Sequence, residues 1–231
     1  MATTGDGLPI IDENDETRLD ELLRYHAVVG ADNSKNPFWP FKLLCQILKR
    51  ERILAELKAY KVENAQTCLD HIRPVDLQLQ DSKAQSYLKA FAILVLVEKV
   101  GDIGEFIREE VSDQKLPVRR YSATRSGKVF LCHKDNPDQP LGCFQGWKDY
   151  QRDLFERMQW QFMVPYFELD TEDKAKHQNF DNGTILPWCK TDDRLHSSSQ
   201  PSGQMGGFAF VSRIKIDPYS HGFRPILEKV S

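Results

Sequence analysis

A chain of 231 residues with 40% hydrophobic and 28% charged side chains can bury a core and is too apolar for wholesale disorder. Its net charge of −3 supplies no overall attraction for nucleic acid or an anionic membrane surface. The longest apolar run, 90–97, is far below the roughly 20 residues that cross a bilayer, and the polar opening 1–7 lacks the basic-then-apolar order of a secretory leader.

Residues 1–14 are polar and acidic and read as a flexible arm. A short helix is predicted over 15–29, with acidic residues in its first turn and Gly30 just beyond its end. Residues 31–36 form a turn-rich connector, and Trp39-Pro40 marks the entry to the next helix, because proline is tolerated in a first turn.

Over 41–60, Leu44, Ile47, Leu48, Leu54 and Leu57 recur mostly at three- and four-residue steps, which predicts one buried stripe. Lys49-Arg50-Glu51-Arg52 interrupts it, so one continuous helix and two abutting helices both fit. A further helix over 63–72 is stopped by Pro74. The stretch 84–100 is apolar nearly all round in its second half, the mark of a helix buried against several neighbours. Gly101-Asp102 is expected to break it, and 103–111 to form another short helix. These pieces make a helical bundle.

After Asp113 the pattern changes. Pro117, Gly127, Pro137 and Pro140 bracket two β-prone runs, 128–132 and 141–144, which are predicted to pair as a hairpin. Arg119, Arg120 and Arg125 around Tyr121 read as a solvated loop and not as a phosphate-binding patch. Over 147–164 the helical period returns, with Trp147, Tyr150, Leu154, Met158 and Phe162 on one face as core-packing residues. Residues 168–202 are a polar linker around the brief apolar anchor Ile185-Leu186-Pro187-Trp188. The run from Gly206 to Ile216 is glycine-led, then β-prone, and reads as a turn feeding strands.

The five cysteines (Cys45, Cys68, Cys132, Cys143 and Cys189) are odd in number and without a C-x-x-C pair, which suits a reducing, intracellular compartment. Cys132, His133 and Cys143 lack the close spacing of a zinc site, so no metal site is expected. Asn182-Gly183-Thr184 has the form of a glycosylation acceptor but, with no leader expected, should not meet the enzyme. Glu109-Glu110 is predicted to face solvent, and the six histidines include no H-x-x-x-H pair.

A glycine turn between strands lets backbone N–H groups approach phosphates, since glycine has no side chain to collide. Protein kinases use G-x-G-x-x-G-x-V there. With Val211 as the valine, Gly206 takes the second glycine position, Gln204 the first and Ala209 the third. Around it stand Ile185-Leu186-Pro187-Trp188, Gly206-Gly207-Phe208, Ile214-Lys215-Ile216-Asp217-Pro218 and His221-Gly222-Phe223. Upstream lie the run from Phe91 to Val100, Phe106-Ile107, Gln159-Trp160 and Pro165-Tyr166-Phe167. From about Phe38 onward this order resembles a group of fungal protein-kinase-like proteins, in which a helical N-terminal region precedes the kinase domain.

The resemblance implies degenerate nucleotide-cradle positions at Gly206, Gly207, Phe208, Ala209 and Val211. It supplies no catalytic residue. Lys215 follows Val211 too closely to be the third-strand lysine, and Lys229 lies two residues from the last one, Ser231. His71-Ile72-Arg73-Pro74-Val75-Asp76 precedes the glycine turn and cannot serve as a catalytic loop, and Ser126-Gly127-Lys128-Val129 lacks the upstream glycine of a P-loop. The expected fold is mainly α (α+β): a helical bundle over 15–167 with a small β-hairpin, a linker over 168–202, and a truncated kinase-like N-lobe β segment over 203–231. The expected role is non-catalytic recognition or regulation, in the cytoplasm or nucleus, with a protein partner, no nucleic acid, no membrane and no cofactor. ATP would enter only if a complete kinase domain came from elsewhere, as a longer product or a partner chain.

Overall fold

The computed structural model describes residue 11 and residues 17–30, 36–75, 85–122, 129–168, 178–189, 203–206, 209–212 and 215–223. Among them are seven α-helices and short antiparallel sheets, a mixed α+β architecture. Most of the arm expected over 1–14, the connector 31–35 and the polar stretches 169–177 and 190–202 lie outside the described residues; Ile11 is buried in the core.

The first helix, α1 (Leu19–Tyr25), is shorter than the 15–29 expected, and Val28–Val29 is instead a strand, β1, paired antiparallel with β2 (Pro37–Phe38). Trp39 then joins three elements. Its indole N–H donates to Leu23 O at 2.8 Å, its backbone N–H donates to Gln161 O at 2.8 Å, and its ring stacks on Phe162 at 4.7 Å. Pro40 precedes α2 (Phe41–Ile47), where its missing N–H costs no intrahelical bond.

The stripe over 41–60 forms two helices, α2 and α3 (Arg50–Ala59), and the charged quartet is the joint. Lys49 is extended, and Arg52 and Arg73 turn back onto the carbonyls that end α2: Arg52 reaches Ile47 O at 3.2 Å, and Arg73 reaches Cys45 O at 2.8 Å and also Leu48 O. Cations on the last carbonyls satisfy orphan acceptors and complement the helix dipole. Helix α4 (Ala65–Ile72) packs on α3.

Helix α5 (Leu88–Leu96) is the centre of the core: every residue but Lys89 is buried, and it packs against α1, α2 and α7. Its N-terminus is capped from a distance. The Asp113 carboxylate accepts from Ser86 Oγ at 2.7 Å and from the N–H groups of Lys89 and Ala90 at 3.0 Å. Burial pushes the Asp113 carboxyl up, and these donors pull against that rise. The helix break expected at Gly101-Asp102 comes earlier in the chain. Gly101 lies in a 3₁₀ turn (Val100–Asp102) that leads straight into α6 (Ile103–Arg108), and α5 stops earlier, at Glu98, where φ is +58°.

Three strands follow: β3 (Val118–Ser122), β4 (Val129–His133) and β5 (Asn136–Pro140), in that order across an antiparallel sheet. The run 141–144 is therefore not the partner of β4. Gly142–Phe144 is a 3₁₀ turn, although Leu141 N still donates to Leu131 O at 2.9 Å. Helix α7 (Asp149–Phe162) lies against β2, β3 and β4. Its buried face is Phe155, Gln159 and Phe162, with Leu154 and Met158 beside it; Tyr150, expected inside, is 61% exposed. Trp147 lies before the helix and joins Phe106, Phe144 and Phe155, with ring centroids 5.0–6.2 Å apart. Its indole N–H donates to Asp102 at 2.7 Å.

Strand β6 (Trp188–Cys189) pairs with β9 (Lys215–Ile216), and β7 (Gly203–Gly206) pairs with β8 (Ala209–Ser212). No helix among the described residues is long and apolar enough to cross a membrane.

Candidate functional site: a glycine hairpin and an arginine-lined groove

The sequence points first to the glycine segment. Strands β7 and β8 form an antiparallel hairpin in the register Gly203↔Ser212, Gln204↔Val211, Met205↔Phe210 and Gly206↔Ala209. Gly206 and Ala209 face each other at its closed end, and Val211 lies inside β8. The connecting Gly207 and Phe208 lie outside the described residues, as do Lys229, Arg125 and 126–128.

The segment after the hairpin is held on the helical body. Ile216 pairs with Trp188, and Asp217 N donates to Pro187 O at 2.8 Å. Asp217 then caps a 3₁₀ turn (Pro218–Ser220), its carboxylate accepting from Tyr219 N at 3.0 Å and Ser220 Oγ at 2.9 Å. Tyr219 is buried in the core, and its hydroxyl meets Gln46 Oε1 of α2 at 3.3 Å. Phe167 N donates to Ser220 O at 2.8 Å and Gly222 N to Phe167 O at 3.0 Å, while the Phe167 ring stacks on Trp188 at 5.6 Å. Burial pushes the Asp217 carboxyl up to about 6 against its two donors. Sequence reasoning passed over this turn, though an Asp directly before a Pro at a first helical position is a helix-start signal.

Arg119 and Arg120, expected in a solvated loop, lie on β3, and acids already occupy them. Arg120 pairs with Asp153 and Glu156 of α7. Arg119 lies over the Trp160 ring at 4.8 Å and pairs with Asp181 at 3.4 Å, which also meets Lys134 at 3.5 Å. The Trp160 ring in turn lies so close to Gly183 that a Cβ there would approach it to 2.5 Å. This packing fixes 181–184 against the sheet and sets Gly183 at a position only glycine fits.

All five thiols are free. Burial pushes Cys45 up to about 11, and raises Cys68, Cys132, Cys143 and Cys189 as well, so none is poised as a thiolate. Among the described residues no three His, Cys, Asp or Glu side chains gather as metal ligands. Glu109, expected in solvent, is partly buried with its carboxylate against Gly142.

A groove that the sequence did not announce lies between the β4–β5 hairpin and the start of α7. It has a volume of about 690 Å³, with walls that include Phe130, Leu131, Pro140 and Phe144. Asp149 and Arg152 also line it. Arg152 donates to Asp149 Oδ1 at 2.6 Å and to Phe144 O at 3.4 Å, while its buried Nε meets no acceptor among the described residues.

The chain matches no protein-family model, no curated protein and no solved structure.

Proposed function

We propose that this protein is a non-catalytic recognition or regulatory region of a kinase-like protein, with its helical body engaging a protein partner. The observation that carries the reading is the β7–β8 hairpin, closed at Gly206↔Ala209 in the part of the sequence that resembles a kinase glycine turn. The strand that follows supports a regulatory role. Strand β9 pairs with β6, and the adjoining Tyr219 is bonded to α2, so a partner that shifts α2 would pull on the segment next to the hairpin. The role is binding because a nucleotide cradle needs a lysine, a base and metal ligands to transfer phosphate, and the sequence positions that resemble the family supply none of them.

A second reading is an ATP-binding kinase fragment completed by a longer product or a partner chain. The two-stranded β7–β8 ladder favours it: among the described residues no third strand joins either edge, and such edges accept further strands. Titration with a fluorescent ATP analogue in the presence of Mg²⁺ separates the two. The first reading predicts no saturable binding by the chain alone; saturable binding weakened by Gly206→Val would favour the second.

A further inference from the structure

The groove beside Arg152 is separate from the glycine hairpin. Its volume of about 690 Å³ falls within the roughly 300–1,000 Å³ of small-molecule sites, and its walls are mostly apolar. Among its lining residues Arg152 is the one cation and Asp149 the one acid.

The two charges differ in how they are held. The Arg152 side chain is only 20% exposed, whereas that of Asp149 is 82% exposed. A guanidinium carries five donors in a planar fork, and buried donors call for acceptors. Asp149 engages Nη2 and the Phe144 carbonyl weakly engages Nη1, which leaves the buried Nε without an acceptor among the described residues. A pair whose acid is this exposed is well screened and contributes little, so Asp149 can swing into solvent and yield its place at small cost. A ligand carboxylate would then take both Nη2 and Nε in the side-on, two-bond geometry that arginine favours. Its apolar remainder would lie along Phe130, Leu131, Pro140 and Phe144, out of water.

We propose that this groove binds a small organic carboxylate with an apolar body, the carboxylate on Arg152 and the body between the β4–β5 hairpin and the 3₁₀ turn. The site needs no nucleotide and stands whether or not the hairpin binds one.

The test is a fluorescence titration of the full chain with 1-pyrenebutyrate, and with the neutral 1-pyrenebutanol as comparison. The wild-type chain should bind 1-pyrenebutyrate saturably. Arg152→Gln should weaken that binding by about tenfold or more, the loss of a charge-assisted bond, and leave the alcohol within about twofold. Gln145→Trp, placed at the exposed rim of the groove, should weaken both. Circular dichroism checks that each variant is folded, and Gln145→Trp carries the test if Arg152→Gln is not. Absence of saturable binding by the wild-type chain, equal carboxylate affinity in folded Arg152→Gln, or unchanged binding in Gln145→Trp would each overturn the proposal.

Discussion

The side-chain amide of Gln159 bonds both backbone groups of Val118: its Oε1 accepts from Val118 N at 2.9 Å, and its Nε2 donates to Val118 O at 2.8 Å. Both residues are fully buried. A helix side chain thus stands in for a neighbouring strand at the inner end of β3 and ties the sheet to α7.

Substituting Gln159→Leu keeps most of the volume and leaves two buried backbone groups of Val118 unpaired. The expected loss is about 2–6 kcal/mol, since each buried orphan costs about 1–3 kcal/mol. Equilibrium urea unfolding measures it; a loss below about 1 kcal/mol would mean that water reaches the site.

Three helices end without glycine. In α3, α5 and α6 the left-handed residue after the cap is Lys61, Glu98 or Glu110, with φ of +54°, +58° and +55°. Each stop has the paired bonds of a Schellman turn; in α5 Lys99 N donates to Leu94 O at 2.8 Å and Glu98 N to Val95 O at 3.2 Å. A side chain in this region costs roughly 1–2 kcal/mol, partly offset by the lower entropy of a non-glycine unfolded chain. Glu98→Gly should therefore stabilise by about 0.5–1 kcal/mol, read as a rise in Tm, and Glu98→Val should lower it.

Asp217 gives the fold a pH dependence of definite sign. Its carboxyl ordinarily titrates near 3.8 and is pushed to about 6 by burial. Between those values the folded chain holds a proton that the unfolded chain has released, so stability falls as pH rises from about 4 to about 6 and is level above. The expected decline is on the order of 2–3 kcal/mol. Asp217→Asn keeps an acceptor for Tyr219 N and Ser220 Oγ and removes the titration. Burial raises Asp113 and the half-buried Glu56 as well, so the informative quantity is wild type minus variant across thermal melts at pH 4–7. A difference that does not change with pH would contradict the assignment.

The core of this fold is written openly in the sequence, while its boundaries and its polar fixings are not. The apolar run that becomes α5 is unmistakable because it is buried on all sides. Its stop is expected at Gly101-Asp102, and the chain uses a left-handed Glu98 instead. Its cap comes from Asp113, so no local motif announces it. Strand β5 has the composition of a loop, with Pro137 and Pro140, and works as a strand because it lies at the sheet edge, where a missing N–H is tolerated. In α7 the aromatic spacing misled: Tyr150 faces water, and polar Gln159 takes the central buried position for its two bonds to Val118. The groove was illegible for a related reason, since Arg152 and Leu131 come to line one groove only after β4 folds against α7.

The claim that this chain recognises and does not catalyse is tested most directly by incubating purified protein with γ-labelled ATP and Mg²⁺. Both labelled phosphate released to solution and label retained on the chain are measured. The account predicts neither above a protein-free control. Steady release or retention that co-purifies with the chain and disappears in a Gly206→Val variant would contradict it.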